Sequence, residues 1–239
     1  MDSNRKTAII VGVLFITATA MTILGTVVLI GPILDGPDYL LNVSANKNRV
    51  VMGVVLEVVV AGAVVGIGVM MFPIFRKQHE GLALGWVGGR IIEGTFILIS
   101  AVGALLLLTL SQEFVKAGAP EASSFQILGT LLLAERYWTF LIGPLLVFSL
   151  NAMIVSYLLY RSRLVPRFLS VWGLIGAPLI FASALLNLFG VFGVFSPIAD
   201  LMALPVASFE MALAVWLIVK GFNSSALASL SAKADRLGK

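Results

Sequence analysis

The sequence predicts an all-α, polytopic membrane protein, a bundle of six transmembrane helices with both termini on the cytoplasmic side. Three observations lead there. Of 239 residues, 59% are hydrophobic and only 12% are charged, whereas a soluble domain carries about 25% charged residues; mean hydropathy is +1.05. Several apolar runs reach the roughly 20 residues that a helix needs to cross hydrocarbon. Those runs are continuously apolar rather than alternating, so of the two structures that satisfy their backbone in lipid, helices win over a closed barrel.

The first span is expected over 7–30, behind a short polar start with Arg5 and Lys6. Ala18-Thr19-Ala20 resembles a signal-peptide cleavage site, but the apolar run continues well past it, so a span is the better reading. Gly31-Pro32 and Gly36-Pro37-Asp38 mark a loop. The second span covers 49–75, with Glu57 about two turns inside. A short charged loop, Arg76 to Glu80, leads into the third span at 81–110, which carries Arg90 and Glu93. The polar stretch 111–122 contains the breakers Gly118, Ala119 and Pro120.

Residues 125–160 would form a helix of about 54 Å at 1.5 Å per residue, well beyond the roughly 30 Å of the hydrocarbon core. Such a segment must break, kink or protrude, and Glu135-Arg136 and Gly143-Pro144 are the places expected for it. The reading is a short interfacial or protruding helix over 124–134 and a fourth span over 137–160, anchored by Tyr137 and Trp138. The fifth span covers 168–189 and the sixth 199–222, with Glu210 near its middle. These elements make a transmembrane domain over 1–222. In the polar tail, 223–239, Leu227, Leu230, Ala234 and Leu237 recur at helical spacing, as in a helix lying on the membrane surface. Segments 76–88 and 161–173 echo one another, each a basic loop followed by a tryptophan, Trp86 or Trp172. A parallel repeat and two ordinary interfacial loops both account for that echo.

Orientation follows from the cations. One side collects Arg5, Lys6, Arg76, Lys77, Arg161, Arg163, Arg167, Lys220, Lys233, Arg236 and Lys239, while the other has Lys47, Arg49 and Lys116. Positive charge is retained inside, so both termini are expected in the cytoplasm. The same distribution explains the net charge of +4 without nucleic acid. Self-association is left open.

The absence of cysteine excludes disulfides and thiolate metal sites, and the single histidine, His79, falls in a loop. No metal or other cofactor is therefore expected. Neither a P-loop, an H-E-x-x-H nor a G-x-S-x-G motif is present, so an enzymatic reading has no support in a motif.

What remains is ionisable residues inside apolar runs. An arginine at the bilayer centre costs roughly 2.5–3.5 kcal/mol on insertion scales, so it is normally paired, and such residues mark ion and solute pathways. Arg90 and Glu93 share a helix face. Glu210 and Asn151 fall at a similar depth, counted from the same side. Gly62 and Gly66 on the second span are expected to meet Gly89 and Gly85 on the third. That register brings Glu57 beside Glu93. The candidate ligand or proton-binding set is Glu57, Arg90, Glu93, Glu210 and Asn151. Glu135 and Arg136, expected nearer the outside, are secondary candidates. With Arg90 as the only base, at least one of the three acids must hold a proton unless Arg136 reaches down. Transport or permeation of a small solute or of protons is one reading. A non-catalytic membrane partner or sensor with structural charges is the other.

Arg90-Ile91-Ile92-Glu93 follows a short basic loop, and Arg163-Leu164-Val165-Pro166-Arg167-Phe168-Leu169 leads into Gly173-Leu174-Ile175-Gly176-Ala177. On these segments the chain resembles a family of bacterial and archaeal integral membrane proteins catalogued as a domain of unknown function, number forty-three eighty-six. The resemblance runs from the first span to about Phe222. It implies a prokaryotic plasma-membrane protein and brings no activity with it.

Overall fold

A computed structural model describes residues 2–119, 124–194 and 196–237. The described residues form eight helices: α1 (Ser3–Leu34), α2 (Tyr39–Ala45), α3 (Lys47–Phe75), α4 (Glu80–Lys116), α5 (Ser124–Ser162), α6 (Arg167–Leu188), α7 (Pro197–Val219) and α8 (Ser224–Leu237). All but α2 and α8 are long and apolar enough to cross a membrane. The protein is a multi-pass membrane protein built only from helices among the described residues.

The six long helices form a closed ring in the order α1, α3, α4, α5, α6, α7, with α7 returning to pack on α1. Closure depends on Gly12, where a Cβ would stand 2.6 Å from the Ala214 carbonyl oxygen of α7. At the same end Arg5 donates to the carbonyl oxygens of Leu217 at 2.9 Å and Ile218 at 2.6 Å. These are carbonyls that the last turn of α7 leaves without helical partners, at the negative end of its dipole. The outward faces are apolar, as at Val102, Leu106 and Val215, each more than half exposed. In water such a surface would aggregate; in a bilayer it is the lipid contact.

Two helices contain wide, π-type turns. In α1 the π segment is Ile23–Ile30, just before Pro32. Pro32 has no N–H to give the carbonyl four residues back, at Val28, and Arg49 Nη2 donates to that oxygen at 3.1 Å. In α5 the π segment is Leu141–Val147 and contains Pro144. The helix absorbs its proline by widening there. The break expected at Glu135-Arg136 is absent: Ser124–Ser162 is continuously helical, so 124–134 is the first part of α5 rather than a separate helix.

Other boundaries differ from the sequence reading in the same direction. α4 continues to Lys116 and ends where Gly118 takes φ +82° and Gly118 N–H bonds to the Val115 carbonyl at 3.1 Å. Pro120 and Ala122, read as part of that loop, lie outside the described residues. The expected loop between the first two spans contains α2, whose Tyr39, Leu40 and Val43 are buried against Val50, Val54, Leu107 and Leu108. The tail helix α8 packs Ala226 and Leu230 into the main core, and Lys77 Nζ bonds to Ser231 Oγ at 3.1 Å, so it is tied to the bundle end. Trp86 is fully buried against Phe75, whereas Trp172 is 37% exposed. The two segments of the sequence echo thus put their tryptophans in different environments.

Candidate functional site

Inside the ring lies a cavity of about 650 Å³, walled by α1, α3, α4, α5 and α7. Its rim includes Pro32 in the last turn of α1 and Asp35 just after it, both exposed, at the bundle end opposite the termini. Its deepest residues are Phe15, Ile67, Arg90 and Phe148. Beyond them the main core, with Met71, Phe75, Trp86, Leu158 and Leu217, fills the other end of the ring. The cavity is therefore sealed at that end. Both π segments border it, through Thr26 and Ile30 in α1 and Pro144 in α5; π turns recur at functional sites.

Two ion-pair clusters face this space. In the deeper one, Arg90 Nη1 stands 3.0 Å from Glu93 Oε2 on the same face of α4, and Arg90 Nη2 stands 3.3 Å from Glu210 Oε1 on α7. The Arg90 guanidinium carbon also lies 5.5–5.8 Å from the ring centroids of Phe15, Trp86 and Phe148. Three aromatic faces and two carboxylates replace water around a cation that is 2% exposed. Its Nε has no hydrogen-bond partner. Asn151 Nδ2 stands near the Glu93 carboxylate without closing a hydrogen bond to it. The Asn151 amide rests against Gly89, where any Cβ would collide with it.

In the shallower cluster, Arg136 of α5 reaches inward. Its Nη2 stands 2.8 Å from Glu57 Oε1 on α3, and its Nη1 donates to the Ser100 carbonyl on α4. Thr26 Oγ1 lies 3.5 Å from the same Glu57 oxygen. The other oxygen, Oε2, is buried without a partner.

The sequence reading placed Glu57 with Arg90 and Glu93, and the structure separates them. The α3–α4 contact does not use Gly62, Gly66, Gly85 and Gly89 against one another: a Cβ at Gly62 or Gly85 would meet nothing within 4 Å. The close approach is at Gly68, facing Arg90 Cβ and Val87 Cα, and at Gly94, facing Val65 and the Ala61 carbonyl. The register is thus displaced by more than a turn, which carries Glu57 toward Ser100 and leaves Arg136 as its partner. The displacement has a volume argument: Arg90 needs the room beside Gly68 for its Cβ and Cγ.

Arg136 was legible from depth. Glu57 is ten residues into α3 and Arg136 twelve into α5, and both helices start at the same end. Starting the fourth span at Tyr137 concealed this match. Glu135 goes elsewhere, its carboxylate pressed on Gly103 of α4 outside the cavity and with no partner for either oxygen. Trp86 lies one turn before Arg90 on α4, but the walls formed by Phe15 and Phe148 had no signal in the sequence, because those residues come from helices distant in the chain.

No group of histidine, cysteine, aspartate and glutamate among the described residues has the makings of a metal site. No curated protein and no solved structure matches the chain. A family model for a domain of unknown function, DUF4386, matches residues 10–221, from the first helix through the last long one and across both ion-pair clusters. With nearly the whole six-helix ring inside that match, the chain belongs to the DUF4386 family.

Proposed function

We propose that this protein moves a small solute, or protons, across a prokaryotic plasma membrane, with Glu57, Arg90, Glu93, Glu210 and Arg136 forming the site it passes. The observation that carries the reading is a cavity, sealed at one end by the packed core, that reaches both buried clusters. A cavity open to one side and sealed by packed side chains on the other is what one state of an alternating-access protein requires. With the termini in the cytoplasm, as the cation distribution argues, that opening faces outward. Three glutamates and two arginines border the cavity away from its rim, and the excess acid favours a proton or a small organic cation as cargo.

The chain contains no cysteine, which makes the test clean. In proteoliposomes, Thr26→Cys should react with a membrane-impermeant thiol reagent, while Val155→Cys, in the sealed core, should not. Vesicles loaded with a pH-sensitive dye and given a potassium-diffusion potential should show proton flux, and Glu57→Gln should reduce it. An unreactive Thr26→Cys, together with no dye response above empty vesicles under the potential or on adding methylammonium, overturns the proposal.

A second reading has its own observation. Arg90 ties α4 to α7 and Arg136 ties α5 to both α3 and α4, as charges that hold helices in register would. On that reading the protein is a membrane partner or sensor, and a charge-swapped Glu57→Arg/Arg136→Glu variant keeps both fold and phenotype.

A further inference from the structure

We propose that the pocket between the 163–167 turn and the 220–223 turn binds the phosphate of an anionic phospholipid headgroup. This site lies at the opposite end of the bundle from the cavity mouth and does not depend on transport. It has a volume of about 390 Å³ and is bordered by Arg163, Arg167 and Lys220, with no carboxylate among the described residues around it. All three cations are exposed, and none forms an ion pair among the described residues. Elsewhere in this protein the arginines inside the ring are neutralised by glutamates; here three positive charges converge on one concavity unopposed.

The pocket is built rather than incidental. Asn223 N–H bonds to the Leu164 carbonyl at 2.9 Å, fixing one turn to the other. Leu164, Val165 and Gly221 form a buried floor. Arg167 lies 5.7 Å over the Tyr160 ring, which restrains its guanidinium. Arg163 takes φ +55° and ψ +28° at the end of α5, a left-handed position where glycine is usual. The N-terminus of α6, with Pro166 as its N-cap, adds the positive end of a 22-residue helix to the same place.

The surroundings favour a lipid over a free anion. Trp216 borders the pocket and packs edge-on against Phe168, which is 61% exposed on the outer surface. Val215 and Val219 continue that exposed apolar face along α7. A headgroup phosphate seated among the cations would leave its acyl chains along this face, and inorganic phosphate would gain nothing from it. Basic residues near a bilayer surface attract anionic lipid in this way.

The test uses the full chain purified in an uncharged detergent. Dioleoylphosphatidylglycerol should bind and raise the melting temperature, while dioleoylphosphatidylcholine and inorganic phosphate at matched ionic strength should not. Arg163→Gln, Arg167→Gln and Lys220→Gln should each weaken phosphatidylglycerol binding about fivefold. Arg76→Gln, an exposed cation at the same end outside the pocket, should leave it unchanged. Equal stabilisation by the two phospholipids, or equal weakening by Arg76→Gln and the pocket variants, overturns the proposal. Inorganic phosphate protecting as well as phosphatidylglycerol makes this a free-anion site and overturns the lipid assignment. If a single variant fails to fold, the other two still decide the matter, because each cation contributes separately.

Discussion

Arg136 Nη2 lies 2.8 Å from Glu57 Oε1, and that contact joins α5 to α3 across the cavity. Both side chains are less than a tenth exposed. Breaking such a pair by removing one partner leaves an unpaired buried charge, at a cost of about 3–5 kcal/mol. Glu57→Ala and Arg136→Ala should each lower stability in detergent substantially. The double variant should lose less than the sum of the two by about 0.5–3 kcal/mol. Additive losses in denaturant unfolding would mean that the two residues do not interact.

Arg90 holds two acids, and they are not equivalent. Glu93 makes contacts at 3.0 and 3.3 Å, whereas Glu210 makes one at 3.3 Å and its side chain is 17% exposed. Glu93→Gln should therefore destabilise more than Glu210→Gln. Arg90→Leu should be worse than either, and adding both glutamine substitutions to it should recover much of the loss. Arg90→Lys keeps the charge but not the planar fork that spans two carboxylates, so its melting temperature should fall between wild type and Arg90→Leu. A wild-type melting temperature for Arg90→Leu would show that the cation is not held in the interior.

The α3–α4 register can be tested with glycines. A Cβ at Gly94 would stand 2.9 Å from Val65 Cγ2 and 3.3 Å from the Ala61 carbonyl oxygen, and one at Gly85 would meet nothing within 4 Å. Gly94→Leu should cost about 1–3 kcal/mol by overpacking, while Gly85→Leu should be near neutral or gain slightly from helix propensity. The reverse order in thermal melts would restore the register expected from the Gly62/Gly66 and Gly85/Gly89 spacing.

Topology is open to protease. Tags at either terminus should survive external protease in intact cells, and a tag inserted beside Asp38 should be cut. Loss of a terminal tag from outside would reverse the orientation of the bundle and, with it, the side on which the cavity opens.

Much of this architecture was decided along the chain, without reference to tertiary contacts. Six apolar runs, a cation-rich side and a buried Arg90 face shared with Glu93 are properties of local composition and of the 3.6-residue repeat, and each can be read in one segment at a time. Depth counting extends this to Glu210, which lies close to Arg90 because both are about ten residues from the same end of the bundle. What the tertiary structure decided is which helices are neighbours and at what register. The Gly62/Gly66 and Gly85/Gly89 spacing offered one close-packed solution; Gly68 and Gly94 offered another, and the volume of the Arg90 side chain is satisfied by the second. That shift of more than a turn moved Glu57 away from Arg90 and toward Arg136. The continuity of α5 could not be read locally either, since Pro144 and the Glu135-Arg136 pair are ordinary break signals. The helix survives them because a π turn makes room for the proline and Arg136 finds its carboxylate on another helix. The packing of Phe15 and Phe148 on Arg90, 75 and 58 positions away, and the closure of α7 on α1 at Gly12, about 200 positions from Ala214, bring together residues from different runs, whose meeting is set by packing of the whole ring and by no pattern within a single run.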